Sequence, residues 1–559
     1  MTGEFARQLE AAQPAAGRRR WLYVAQDQLS DGIGPLATEP PEALGIVLIE
    51  SSWKAAQRPY HKQKLALVLA NQRHFALEQA RRGVAVRYEL TRLSPGAALA
   101  AVARELGELR ALEPAERELG AELAPLVTDG LVTLLPHDGW LTTDVDFDRA
   151  CPGEGPWRMD AFYRQVRRRT GVLMDERGKP VGGKFSFDAD NRLPWKGEPA
   201  APELPRFEPD AITREVGELI EARFARHPGR LDLAELPTTL DDAERLWAWA
   251  REHCLESFGP YEDAFSVHSE SLFHTRISAL LHLHRLLPAR VLADTLALEG
   301  LPLSSLEGFV RQLLGWREFV HQVHRRTDGF RRLGGGPVAE ADAPGDGGWS
   351  RWSGEAWSEA PAGERAAGGA LPSALEASVP LPPAFWGVTS GLACLDHTVE
   401  AVLDHGYTHH IPRLMVLANI ATLLGVSPRE LTDWFWVTFI DAYDWVVEPN
   451  VLGMGTFAAG EVMTTKPYIS GAAYIDRMGD LCSGCRFHPK KTCPLTRLYW
   501  SCLDRNADRL ASNPRMRVPL ASLRKRDPAR RAHDARVHAH LVAELSAGRE
   551  LHPGEPAEE

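Results

Sequence analysis

The 559-residue chain has no run approaching about 18 consecutive apolar residues, so no transmembrane helix is expected. Met1 to Arg20 lack an apolar core, so no signal peptide is expected, and the protein is expected in the cytoplasm. Glycine motifs for nucleotides are missing as well. Gly453-Met-Gly455 is followed by Ala458 where a dinucleotide fingerprint requires a third glycine, and there is no P-loop. A dinucleotide would therefore have to sit in a helical pocket. Cysteine is scarce: 7 residues in a chain of this size are no disulfide framework. The net charge of -11 argues against a surface coated in nucleic acid, although phosphate contacts depend on the local field and leave room for a basic groove.

What is present points to more than one core. Apolar content of 44% and charged content of 25% are ordinary for a globular protein, and the length exceeds a single core. Over residues 1–137, short apolar runs alternate with helical ones. Trp21–Val24, Ile46–Ile49, Val84–Val86 and Leu131–Leu135 read as buried strands, and Gln63–Arg82 and Pro95–Leu112 as helices. That alternation predicts an α/β domain with a parallel sheet. Ligands of such sheets bind at the C-terminal strand ends, where Asp27 and Glu50 lie; loop capping is the competing reading. Residues 138–210, rich in Gly and Pro, read as a connector, made locally basic by Arg164, Arg167, Arg168 and Arg169. From 211 to 559 the periodicity is almost wholly helical, with stretches such as Glu270–Leu287, Leu306–Arg325 and Pro428–Ala442. Residues 334–372, rich in Gly, Ala and Glu, read as a mobile surface insertion. Arg515, Arg517, Arg524, Lys525, Arg526, Arg530 and Arg531 make the last stretch basic before it turns acidic.

Three clusters carry chemistry. Cys482-Ser-Gly-Cys485 can turn two thiolates toward one centre, Cys493 adds a third, and Cys394 or Cys502 can supply a fourth. Zinc or a cubane iron–sulfur cluster would accept such a set, and spacing alone leaves the two open. Thr432-Asp-Trp434-Phe-Trp436, continuing to Trp445, reads as core packing or, beside a redox centre, as an electron relay. His409 and His410 offer a proton donor near neutrality, since adjacent histidines seldom share one metal.

Several runs taken together resemble the photolyase–cryptochrome superfamily, more narrowly its iron–sulfur bacterial cryptochromes and photolyases, the prokaryotic (6-4) photolyase group. They are Thr408-His-His-Ile-Pro-Arg-Leu-Met415, Asp433-Trp434 through Asp441-Ala-Tyr-Asp-Trp445, and Pro449-Asn-Val-Leu-Gly-Met-Gly455. Thr465-Lys-Pro-Tyr468-Ile-Ser-Gly471, Gly308-Phe-Val-Arg311-Gln with Gly315-Trp316-Arg-Glu318, and Phe273-His-Thr-Arg276-Ile-Ser278 complete the set. The resemblance covers nearly the whole chain. It implies an α/β domain with an antenna chromophore, often 6,7-dimethyl-8-ribityllumazine, touched by Asp27 and Glu50. It implies a large all-helical C-terminal domain around FAD, lined by Arg276, Ser278, Arg311, Trp316, Asp441, Asp444 and Asn450. Trp434 and Trp386 match its photoreduction tryptophans. His410, with His409, matches its repair histidine, and Tyr468 an aromatic residue near the lesion pocket. It also implies a [4Fe-4S] cluster on Cys394, Cys482, Cys485 and Cys493, which leaves Cys502 spare.

Some positions depart from the group. Seven residues separate Cys485 from Cys493, a shortened interval. Phe435 stands where a tyrosine is common, and Leu280-Leu281-His282 replaces a more usual Leu-Asn pairing. The expected activity is light-driven repair of (6-4) photoproducts in UV-damaged DNA by a monomer. The alternatives are a blue-light photoreceptor acting through a partner and a zinc-bound helical DNA-binding protein without flavin.

Overall fold

The computed structural model describes residues 3–355, 357 and 366–554. Five strands, β1 (Arg20–Tyr23), β2 (Leu44–Ser51), β3 (Ala85–Thr91), β4 (Leu109–Leu112) and β5 (Val132–Leu135), form one parallel sheet ordered β3-β2-β1-β4-β5. Side chains alternate across the sheet, so successive residues feed two cores. Leu22, Ile46 and Leu48 pack on Phe75 and Ala76, whereas Tyr23, Val47 and Ile49 pack on Leu99, Val102 and Leu123. With helices covering both faces, the central strand β2 is buried along nearly its whole length.

One expected helix divides in two. The stretch Pro95–Leu112 is a helix only to Leu106, where Gly107 turns the chain at φ 90°; Leu109–Leu112 then becomes β4. A four-residue apolar run has too few residues to distinguish the two periods. The strand order reverses between β1 and β4, the switch point beyond whose carboxyl ends ligands of such sheets bind.

The connector is more ordered than its composition suggests. It carries helices Asp144–Ala150 and Met159–Thr170, the first held by a reciprocal Thr143–Asp146 capping box. Of its basic run only Arg167 is buried; Arg164 and Arg169 sit in surface ion pairs. Arg164 pairs with Asp160 at 2.8 Å and Arg169 with Asp146 at 2.5 Å, and buried Arg167 donates to the carbonyls of Val172 and Phe185. Arg168, 5.0 Å over the Phe185 ring, is the exposed cation of the run without an ion pair among the described residues.

The remainder is helical and built on two large cores. Helix Pro428–Thr438 starts as its sequence predicts, with Pro428 in the first turn and Ser427 Oγ accepting from the Glu430 amide. Glu270–Leu287 does not form one helix: only Ser278–His282 is helical, and Leu272, Arg276 and His284 have positive φ. Three segments wind as π-helix, Arg311–Arg317, Pro412–Ala418 and Pro449–Gly455.

The two parts interlock. The Asp444 carboxylate accepts from the Arg117 and Glu118 amides at 2.7 and 3.4 Å, capping helix Arg117–Thr128 from the helical domain. Lys64 Nζ donates to the Trp436 and Ala442 carbonyls, and the His61 amide to the Val437 carbonyl. The segment read as a surface insertion holds a short hairpin, Arg332–Leu333 with Gly336–Pro337, and a one-turn helix, Trp349–Ser353, that lies against helix Pro428–Thr438. Its residues 356 and 358–365 lie outside the described residues.

Candidate flavin and lesion site

Each π-helical segment coincides with a motif singled out in the sequence. Arg311 and Trp316 lie on the first, Arg413 to Met415 on the second, and Asn450 to Gly455 on the third. An i→i+5 turn is rare, costs hydrogen-bond geometry and occurs mostly at functional sites. Near the second segment, Arg413 grips the Asp441 carboxylate with two bonds of 3.0 Å, and Ser278 Oγ donates to the same carboxylate at 2.7 Å. Burial pushes the Asp441 carboxyl up, but the guanidinium and the hydroxyl outweigh it and hold the group below its ordinary value. His282 takes the Asp441 carbonyl at 2.9 Å through Nδ1. Asn450 donates back to the Val446 carbonyl, and half-buried Trp316 packs on Phe319.

Arg276 is unusual in two ways. Its backbone has φ 59°, a costly conformation for a residue with a side chain. Its guanidinium lies 3.9 Å over the Tyr407 ring, and among the described residues it has no carboxylate partner. Burial lowers its pKa accordingly. A cation desolvated without a counter-charge fits an anionic ligand. Arg311, by contrast, is already paired with buried Glu262 at 3.0 Å.

The histidines meet at a mouth. His274 stacks on His409 at 4.2 Å, and ligand atoms of His274, His409 and His410 lie within 4.8 Å of one another. Both ring nitrogens of buried His409 lack a protein partner, as does Nε2 of His274. Burial holds His274 down to about 4 and His409 well below the ordinary imidazole value, so both are neutral at pH 7. The side chain of His410 is 44% exposed and faces Asp263 Oδ1 at 3.9 Å. Burial pushes that carboxyl up to about 6. The hydroxyl of Tyr474 donates to Asp263 at 3.4 Å. His274, Asp263 and Tyr474 were not among the predicted site residues, since isolated side chains in unlike segments leave no spacing to read. Tyr468 makes no ring contact with these histidines among the described residues; its electrostatic neighbours are Asp188, Arg192 and Arg515.

Trp434 is fully buried and donates its indole N–H to the Phe385 carbonyl, and Trp386 lies 6.4 Å away. Phe439 links the tryptophans to the carboxylate site, since it packs 5.9 Å from Trp434 and lies 4.1 Å under Arg413.

Cys394 sits at the start of helix Ala393–His405, facing the loop of Cys482, Cys485 and Cys493. Burial, then repulsion from those three, pushes its thiol well up. Burial raises Cys482 to about 11 and Cys493 to about 12. Four thiolates so placed need a cationic centre. Among the described residues, no three of these sulfurs lie within 4.8 Å of one another. Zinc or a cubane iron–sulfur cluster would accept four such thiolates. Cys502 is apart, against the Thr422 carbonyl and Asn506.

At the strand ends, Asp27 and Glu50 part company. Asp27 lies at the β1–β4 switch point, 2% exposed, with Oδ1 unpartnered and its carboxyl raised to about 7 by burial and by Glu116. Glu50 is committed to Arg73, which holds it through two nitrogens at 2.7 and 2.9 Å, and to the Tyr88 hydroxyl at 2.6 Å. The switch-point residues that sequence missed are Glu116 and Lys54, paired at 2.7 Å. Glu116 follows β4, the strand hidden in an expected helix.

Sheet, helical domain and this constellation together define the photolyase–cryptochrome class. The family model described as deoxyribodipyrimidine photo-lyase-related protein matches residues 22–235. A protein named (6-4) photolyase, from Agrobacterium fabrum, is 31% identical over 542 residues, 93% of this chain and 98% of the relative. The chain belongs to the prokaryotic (6-4) photolyase group of that superfamily. A crystal structure titled a bacterial class III photolyase, from Agrobacterium tumefaciens, superposes with a TM-score of 0.51 at 14% identity. It covers 95% of this chain and 99% of that one, and it supports the fold. Membership implies a flavin, and the unpaired Arg276 cation beside the Asp441 network fits one.

Proposed function

We propose that this protein is a light-driven, flavin-dependent enzyme that repairs pyrimidine–pyrimidone (6-4) photoproducts in UV-damaged DNA, acting as a cytoplasmic monomer. The observation that carries the reading is the histidine cluster: one exposed ring, His410, beside buried His409, with neither ring nitrogen partnered, and buried His274, with Nε2 unpartnered. Bound FAD would supply a photo-excited electron donor. Arg276 would neutralise its diphosphate, and Ser278 and Arg413 would hold Asp441 ionised against the ring system. A flipped lesion enters most cheaply where base pairing is already lost. Burial, then His274, Arg311 and Arg413, push His410 well below the ordinary imidazole value, so the neutral ring would relay to the lesion a proton from Asp263, 3.9 Å away and raised to about 6. Neutral His409 and His274 would hydrogen-bond the extruded base.

The quartet Cys394, Cys482, Cys485 and Cys493 would hold a [4Fe-4S] cluster, with buried Cys394 facing the loop of the other three. A ribityllumazine antenna would use the β1–β4 switch point and the free oxygen of Asp27, with Glu50 shaping the wall through Arg73. The test is blue illumination of lesion-bearing oligonucleotides with the reduced protein. Loss of (6-4) lesions is expected, and persistence of the lesions would defeat the reading. His410→Ala should keep the flavin absorbance and lose repair; unchanged repair would remove His410 from the mechanism.

A further inference from the structure

We infer that residues 334–372 carry the outer end of an electron path, in which Trp349 and Trp352 connect buried Trp434 and Trp386 to solvent. The inference rests on the flavin reading above and extends it to a segment that reading leaves unused.

Trp434 and Trp386 are 0% and 3% exposed, so the pair alone has no exit. Phe435, beside Trp434, has no hydroxyl to lose a proton and is stacked on Phe439 at 5.0 Å. The exit comes from the inserted segment. Trp349 packs on Trp386 with ring centroids 4.9 Å apart, Trp352 stacks on Trp386 at 6.2 Å and 23°, and the two inserted rings are 5.0 Å apart. Trp352 is 38% exposed.

The docking is built by specific contacts. The Trp386 indole donates to the Gly347 carbonyl at 2.9 Å, and Arg351 pairs with Glu430 at 2.7 Å. Gly347 has φ 62°, and a Cβ there would stand 2.7 Å from Cα of Trp434, so only glycine lets the segment approach this closely. Asp346 orients the turn by accepting from the Gly348 and Ser350 amides.

The proton decides which ring ends the path. A tryptophan that loses one electron is a strong acid at its indole N–H. The Trp386 N–H is held by a carbonyl, and the buried Trp349 N–H has no acceptor. Of the four rings Trp352 is the exposed one, at 38%, while Trp349 is half-buried with its N–H enclosed. One electron leaves Trp434 for the photo-excited flavin, and one electron from Trp352 refills the hole through Trp386, directly or by way of Trp349. Trp352 releases its N–H proton to water and becomes a neutral radical. A thiol reductant then returns a hydrogen atom and leaves as a thiyl radical.

The experiment uses the full flavin-loaded chain in dithiothreitol. Wild type is compared with Trp352→Phe, Trp352→Tyr, Trp349→Phe and, as a remote control, Trp500→Phe. Flash absorption reads the lifetime of the tryptophan radical, and electron paramagnetic resonance reads its identity. In Trp352→Phe the lifetime should fall by roughly an order of magnitude, as the charge recombines from a buried ring. Trp352→Tyr should replace the tryptophanyl signal with a tyrosyl one, and Trp500→Phe should match wild type. A wild-type lifetime in Trp352→Phe, or a tryptophanyl signal in Trp352→Tyr, would overturn the path. Dithionite-reduced Trp352→Phe should repair lesions as wild type does. If reduced wild type repairs nothing while the radical results hold, the repair reading fails and the path stands.

Discussion

Asp27 keeps its proton where an ordinary aspartate has lost it. Its carboxyl is raised from 3.8 to about 7, first by burial and then by Glu116. Between those values the folded protein binds a proton that the unfolded chain has released, so stability falls as pH rises through that window and levels off above it. Asp27→Asn removes the penalty. Without bound chromophore, the variant should match wild type near pH 4 and exceed it by about 2 kcal/mol at pH 8 in urea titrations. Parallel stability curves would show that Asp27 ionises freely. At this scale residue type suggested a chemistry for the histidine pair and the cysteines, and the family resemblance pointed to Arg276. Sequence was silent on pairing. Glu50 and Asp27 look alike at strand ends, and only the fold shows Arg73 and Tyr88 occupying the first. Likewise Arg311 is spent on Glu262, and Asp444 on a helix end.

Among elements, helices such as Lys62–Arg81 and Pro428–Thr438 were legible, because many residues vote on one period, whereas Glu270–Leu287 was misread. β4 was not, since four apolar residues satisfy both periods and tertiary pairing with β1 and β5 decides. The inserted segment hid its role because glycine-rich composition usually marks loose chain. Here Gly347 is a close-packing device. Gly347→Val forces a β-branched residue to positive φ against a helix backbone and should cost about 2 kcal/mol. The expected sign is faster proteolysis within residues 334–372 and higher tryptophan emission, with the rest of the fold intact. Unchanged cleavage and emission would mean that the segment tolerates the bulk.

For the whole molecule, net charge is a poor guide to DNA binding, because the local cations decide. With Arg164 and Arg169 in surface ion pairs and Arg167 buried, the C-terminal run supplies more of the unpaired cations. Arg526 pairs with Asp534 and Arg531 with Asp504, which leaves exposed Arg515, Arg517, Arg524, Lys525 and Arg530. Each phosphate contact adds about 0.9 to the slope of log affinity against log salt. Replacing Arg524, Lys525 and Arg530 by Gln should lower that slope by about 2 to 3. It should weaken damaged and undamaged duplex alike, as read by fluorescence anisotropy. An unchanged slope would place the DNA elsewhere.

The Asp444 cap has a consequence for modularity. Helix Arg117–Thr128 receives its terminal hydrogen bonds from a residue more than 300 positions downstream, while Lys64 spends its charge on carbonyls of that same downstream region. The sheet domain is therefore not an exchangeable cartridge. A chimera grafting it onto another light-harvesting or flavin module would leave one helix uncapped and one ammonium stranded. Any viable transplant would have to carry the strip from Trp436 to Asp444 along with it.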